Sequence, residues 1–204
     1  MTARFRKAVL AMALGLSCLS AQAAVSVVKV VNFSCQYCKS SESMDAPIRQ
    51  AVEAAGGKLV YAAMPADNNS DGSRERMYYA ARDAYPAQEP RIRAALYKGA
   101  QDVGYPLASA VQTAEWLGTE LADLNYDWLR VARVADEGDA VSAFQRAIRL
   151  AVQSGVQVLP SYVVVKDGAV IQTLDVQSGG GNYSALRQAV LDSVAKAAAL
   201  KTTP

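Results

Sequence analysis

The 204-residue chain predicts an α/β fold: a mixed central sheet flanked by helices and interrupted by an all-helical block. Three observations carry this expectation. Runs that read as strands occur only toward the two ends, at Val25 to Phe33, Lys58 to Ala63, Val156 to Val165 and Val170 to Leu174. Between them, residues 73 to 154 repeat apolar side chains at three- and four-residue intervals, the period of a helix. The first run leads directly into Cys35-Gln36-Tyr37-Cys38, at the start of a helical pattern.

Taken in order, residues 1–23 read as a signal peptide. Arg4, Arg6 and Lys7 supply a positive start, Ala8 to Leu19 is an apolar run too short to span a membrane comfortably, and Ala21-Gln22-Ala23 fits a small-x-small cleavage site. The mature chain is then expected to begin near Ala24, and Cys18 leaves with the leader. Lipidation of Cys18 would call for a large aliphatic residue three positions upstream, where Gly15 stands.

Val25 to Phe33 is almost continuously apolar, as a strand buried on both faces is. Ile48, Ala51, Val52 and Ala55 then share a helical face that stops at Gly56-Gly57. Lys58 to Ala63 reads as a second strand, ended by Pro65 and the polar loop Asp67 to Gly72. Within the helical block, Met77, Ala80, Ala81 and Ala84 make one stripe, and Ile92, Ala95, Leu96 and Gly99 another. After a break at Gly104-Tyr105-Pro106 come Ala114, Leu117 and Leu121, then Leu129 with Ala132, then Val141, Phe144, Ile148 and Val152. Two β runs joined through Asp167-Gly168 form an expected hairpin. Gly179-Gly180-Gly181 breaks the chain again, and Leu186, Val190 and Val194 stripe a closing helix. The predicted organisation is one domain from residues 24–65 and 155–204, with 66–154 inserted as a helical subdomain.

Composition excludes several functions. Loss of the leader takes the basic residues from 21 to 18 against 19 acidic ones, and no basic run with interleaved aromatics remains, so no nucleic-acid partner is expected. The chain has no histidine, and Cys35 and Cys38 are the only cysteines left once the leader is removed. These are too few ligands for a zinc site, so no metal and no cofactor are expected. Without histidine a serine triad has no obvious base, and the glycine triplet lacks the spacing of a dinucleotide fingerprint. Tyr78, Tyr79, Tyr85, Tyr97 and Tyr105 read as core or rim aromatics.

Two cysteines with two residues between them, the first at a helix N-terminus, place the sulfurs within bonding reach. The first faces unpaired backbone N–H groups and the positive end of the helix dipole, which lowers a thiol pKa. Cys35 is thus the expected nucleophile and leaving group, and Cys38, one turn in, the residue that resolves a mixed disulfide. A purely structural disulfide across so short a loop would gain little.

Strand, Cys-x-x-Cys, helix and strand, followed later by Val158-Leu159-Pro160-Ser161, a strand, an Asp-Gly hairpin and a final helix, resembles the thioredoxin fold. The inserted helical block makes the chain similar to the DsbA-like periplasmic thiol:disulfide oxidoreductases, over essentially the whole mature chain. The resemblance implies an exported enzyme exchanging disulfides with protein substrates through Cys35 and Cys38, and a membrane redox partner. It matches Pro160 to a proline that is cis beside the cysteines, with Leu159 presenting backbone groups to an extended substrate; a trans proline opening an edge strand is the alternative.

Three departures from the family pattern bear on modulation of the pair. The dipeptide Gln36-Tyr37 has neither a proline first nor a histidine second. Lys29 stands six residues before Cys35, where the family carries a buried acid; it is either buried near the thiols or snorkels from a strand edge. Leu159 lacks the hydroxyl or smaller branched side chain often found before this proline. Oxidase, reductase and isomerase directions all remain open, as does a non-catalytic assembly or binding factor on the same scaffold.

Overall fold

The protein is described by a computed structural model over residues 25–65 and 70–200. The leader, its cleavage site and Cys18 lie outside the described residues, as do several residues of the polar loop after Pro65.

Strands β1 (Val25–Val31), β2 (Leu59–Ala63), β3 (Ser161–Lys166) and β4 (Ala169–Asp175) form one sheet in the order β2-β1-β3-β4. β1 pairs parallel with β2 and antiparallel with β3, and β3 with β4 antiparallel. The central place of β1 accounts for its apolar run: Val25, Val27, Val30 and Val31 are fully buried. From β1 the chain enters α1 (Gln36–Ser40), a 3₁₀ turn (Ser41–Met44) and α2 (Asp45–Ala54), then returns to β2. Gly57 is required at that return, because a Cβ there would sit 1.7 Å from the Val25 carbonyl oxygen.

Between β2 and β3 lie α3 (Ser73–Ala84), α4 (Glu89–Tyr97), α5 (Ala110–Glu120), α6 (Trp128–Ala135) and α7 (Gly138–Gln153), with a π-helical turn at Lys98–Val103 directly after α4. Ser109 and Asp127 cap α5 and α6 by accepting the N–H groups of Gln112 and Arg130. The block is joined to the sheet through Phe33, just past β1, whose buried ring meets Tyr78 and Tyr97 edge-on at 5.3 and 5.2 Å.

The hairpin turn has positive φ at both Asp167 (52°) and Gly168 (80°), as a two-residue I′ turn demands. Helix α8 (Tyr183–Ala199) follows, capped by Asn182, and packs on α2, β3 and β4. Lys166 at the end of β3 donates to the carbonyls of Ala197 (3.0 Å) and Leu200, satisfying the end of α8.

Four sequence expectations are corrected. Residues 156–160 form an irregular approach to β3 rather than its first half. Leu129 is 54% exposed, and α6 instead buries Trp128, Val131, Ala132 and Ala135. In α7 the buried row is Ala140, Ala143, Ala147 and Ala151, while Val152 is exposed. Small side chains let α7 approach α3 closely, so the larger aliphatics are displaced to its flanks. Ala84, at the last turn of α3, is likewise exposed.

Candidate active site

Cys35 is the N-cap of α1, with extended backbone (φ −84°, ψ 110°) and its Sγ accepting the Cys38 N–H at 3.2 Å. Cys38 lies one turn on and is fully buried, whereas Cys35 is partly open to solvent; both thiols are free. The Cys38 thiol donates to the Cys35 sulfur, the largest influence lowering the Cys35 pKa. Burial opposes it, and the N–H groups of Cys38 and Tyr37 and the charge of Lys29 add to it. The net result takes Cys35 from an ordinary 9.0 to about 6. Cys38 moves the opposite way, raised by the hydrogen bond it gives and then by burial. One sulfur is therefore a partly exposed thiolate at neutral pH and the other a withheld thiol.

Leu159 and Pro160 come to the same place. Their peptide bond is cis, and the Leu159 carbonyl oxygen lies 3.7 Å from Cys35 Sγ. That contact serves a protonated Cys35 as donor; as a thiolate, Cys35 is served by the N–H groups of Cys38 and Tyr37. Gln36 and Tyr37 both face solvent, Tyr37 at 66% exposure, so the two residues between the cysteines contribute surface rather than packing. Tyr183 at the start of α8 donates to the Tyr37 carbonyl at 3.5 Å.

Lys29 does not snorkel from an edge. It lies on the central strand, fully buried, and pairs with Asp45 Oδ2 at 2.8 Å and with Glu42 at 3.6 Å. Strand register puts Tyr61 and Tyr162 on either side of it, and both hydroxyls donate to Asp45, at 2.7 and 3.1 Å. A buried cation and carboxylate are tolerated here because each is hydrogen-bonded as well as paired. Asp45 is detectable in the sequence: it precedes Ile48 by three and Val52 by seven, on the buried stripe of α2.

The supports of the cysteine loop have no local signal. Asn32 donates to the Met64 carbonyl (2.7 Å) and accepts the Ser34 N–H (2.7 Å). Gln101, in the π-helical turn, donates to the carbonyls of Phe33 (2.7 Å) and Cys35 (3.1 Å), and Asp102 beside it pairs with Lys39. Arg74 on α3 donates to Ser34 Oγ at 2.9 Å. Between the motif and the π-helical turn runs a polar cleft lined by Ser34, Gln36 and Lys39 on one side and by Ala100, Gln101 and Asp102 on the other. Among the described residues no cluster of three or more potential ligands could hold a metal ion.

No family model and no curated protein matches the sequence. Solved structures do match in three dimensions. Pseudomonas aeruginosa DsbA superposes with a TM-score of 0.66 at 18% identity, covering 87% of this chain and 86% of that one. The oxidoreductase NmDsbA1 of N. meningitidis gives 0.66 at 13% identity, over 87% and 86%. A thioredoxin-like oxidoreductase of Silicibacter pomeroyi gives 0.56 at 20%, over 86% and 88%. The chain thus has the thioredoxin fold with a helical insertion, the architecture of DsbA structures.

Proposed function

We propose that the protein is an exported thiol:disulfide oxidoreductase acting on protein substrates through Cys35 and Cys38. One observation carries the reading: an N-cap cysteine, lowered to a pKa of about 6 and open to solvent, is backed by a buried thiol and flanked by the Leu159 carbonyl. In the oxidase direction a substrate thiolate attacks Cys35 Sγ of the Cys35–Cys38 disulfide. The S–S bond breaks, Cys38 leaves as a thiolate, and a mixed disulfide forms between Cys35 and the substrate. A second substrate thiolate then attacks the substrate sulfur of that bond, releasing oxidised substrate and the Cys35 thiolate. Reduction runs the same steps backward.

Leu159 and Pro160 hold the substrate chain extended beside Cys35, and Gln36, Tyr37 and Lys29 tune the pair. Residues 24–65 and 155–204 form the domain that carries the exchange site, and residues 66–154 the inserted helical subdomain, whose Gln101 and Arg74 tether the cysteine loop. Turnover requires a redox partner at the membrane, and residues 1–23 direct export. The test is paired assays, insulin reduction and oxidation of a reduced unfolded protein, on wild type and Cys35→Ser. Activity in either assay that disappears in the variant supports the reading. Silence in both, with the fold intact, overturns it in favour of a binding role for the scaffold.

A further inference from the structure

The exchange chemistry proposed above leaves one buried group unexplained. Tyr97, the last residue of α4, is 1% exposed, and its hydroxyl has no hydrogen-bond partner among the described residues. A buried O–H left unpaired is costly, and such groups in folded proteins call for a reason.

Helical geometry says what faces it. On α4, Arg93 precedes Tyr97 by four residues, so the two share one face. In the facing segment Cys38 precedes Glu42 by four. Arg93 bonds Glu42 through Nε at 2.9 Å to both carboxylate oxygens. Arg93 and Glu42 form one rung between the two segments; Tyr97 stands one turn from it on α4, and Cys38 stands four residues before Glu42, across the junction of α1 with the 3₁₀ turn. Two other contacts hold this end of α4 against the cysteine loop: the Tyr97 ring lies edge-on to Phe33, and Gln101, one turn later, bonds the carbonyls of Phe33 and Cys35. Burial is the main cause that raises the Tyr97 pKa; of the ionisable neighbours, Cys38 would have the largest charge effect on it when ionised, ahead of Glu42. The hydroxyl therefore stays protonated and keeps an O–H to donate.

We propose that the Tyr97 hydroxyl is the hydrogen-bond donor that receives the Cys38 sulfur when it leaves as a thiolate. The inference rests on the thiol-exchange reading. When an outside thiolate attacks Cys35, the electron pair of the S–S bond goes to Cys38 Sγ, in a place without solvent. The Tyr97 O–H supplies the missing solvation without giving up its proton; Cys38 afterwards takes from solvent the proton that the attacking thiol released to it. By microscopic reversibility the same donor acts when Cys38 attacks a mixed disulfide at Cys35.

The experiment uses Tyr97→Phe, which deletes the oxygen and keeps the ring. Oxidised wild type and variant are mixed with reduced glutathione, and loss of the Cys35–Cys38 disulfide is followed. The variant is expected to react about tenfold more slowly, the effect of losing one hydrogen bond to a charged group. Its Cys38 should alkylate with a higher pKa, while Cys35 alkylation, measured in a Cys38→Ala background, stays unchanged. Equal disulfide-reduction rates in a variant of equal or higher melting temperature would overturn the proposal and leave the hydroxyl a tolerated defect. Slower alkylation of Cys35 itself would also overturn it, assigning Tyr97 to packing of the loop. Failure of the exchange reading looks different, since wild type and Cys35→Ser would then behave alike in the protein-substrate assays.

Discussion

Replacing Cys38 by alanine tests the physical origin of the Cys35 thiolate, because it deletes the largest influence and leaves the others. The wild-type pKa of about 6, against an ordinary 9.0, means that about nine-tenths of Cys35 is thiolate at pH 7, where an ordinary thiol would be about one-hundredth. Intrinsic nucleophilicity falls with pKa by a Brønsted slope of ~0.4–0.5, which takes back a factor of ~20 of that ~90-fold gain. Cys35 should therefore alkylate only about fourfold faster than a free thiol at pH 7, but with its midpoint three units lower. In Cys38→Ala the donated S–H is gone, whereas the backbone N–H groups of residues 37 and 38 and Lys29 remain. The midpoint is expected to rise and to stop short of 9.0. A thiolate absorbance titration with the midpoint still at about 6 would show that the Cys38 thiol contributes nothing. A midpoint at 9.0 would show that the helix start and Lys29 contribute nothing. The linkage has a definite sign. Cys35 has a lower pKa folded than unfolded, so the thiolate stabilises the reduced fold above the unfolded pKa, and that contribution is lost as pH falls through about 6. The three-unit shift sets a ceiling of ~4 kcal/mol, to be discounted for screening because Cys35 is partly exposed.

Three further outcomes are expected. Lys29→Met leaves Asp45 buried without its cation and should cost about 3–5 kcal/mol in denaturant unfolding; Lys29→Met with Asp45→Asn should recover most of this and still raise the Cys35 pKa by a fraction of a unit. An unchanged pKa in the double variant would remove Lys29 from the tuning of the thiols. Gly57→Ala drives a Cβ into the Val25 carbonyl and should destabilise the fold by more than any exposed alanine substitution; a melting temperature equal to wild type would refute the close approach at that turn. Burial raises the Glu75 pKa despite Arg74 beside it, so the folded carboxyl favours protonation, and stability is lost as pH rises through its folded pKa. Unfolding midpoints measured at about pH 4 and about pH 7 should therefore shift in favour of Glu75→Gln at the higher pH; a difference independent of pH would sink that assignment.

Much of this architecture is legible in the sequence because its signals are local. The valine run of β1, the Asp-Gly hairpin and the spacing of Cys35 and Cys38 each depend on a few adjacent residues. Val158-Leu159-Pro160-Ser161 is placed beside Cys35 only through the resemblance, since no local rule connects positions 124 residues apart. The errors share a cause. In α7 the largest aliphatics dominate the sequence pattern, but helix-on-helix contact selects alanines, and residues 156–158 have strand composition without a partner to pair with. Gln101, Asp102 and Arg74 give no signal, because their partners are brought near only by the way the helical block folds back, and Tyr97 reads only as a core or rim aromatic. Lys29 is ambiguous in the sequence for the same reason: its neighbours Tyr61 and Tyr162 become visible only once the register of three strands is known.

The tethers of the cysteine loop come largely from outside the sheet. Gln101 and Asp102 belong to the π-helical turn and Arg74 to α3, so the block between β2 and β3 acts as a splint on the loop that carries Cys35. A minimised protein that kept every strand and both cysteines but discarded residues 66–154 would leave the carbonyls of Phe33 and Cys35 without Gln101. For anyone re-engineering this scaffold, reactivity and insert cannot be separated by cutting at the joints of the fold.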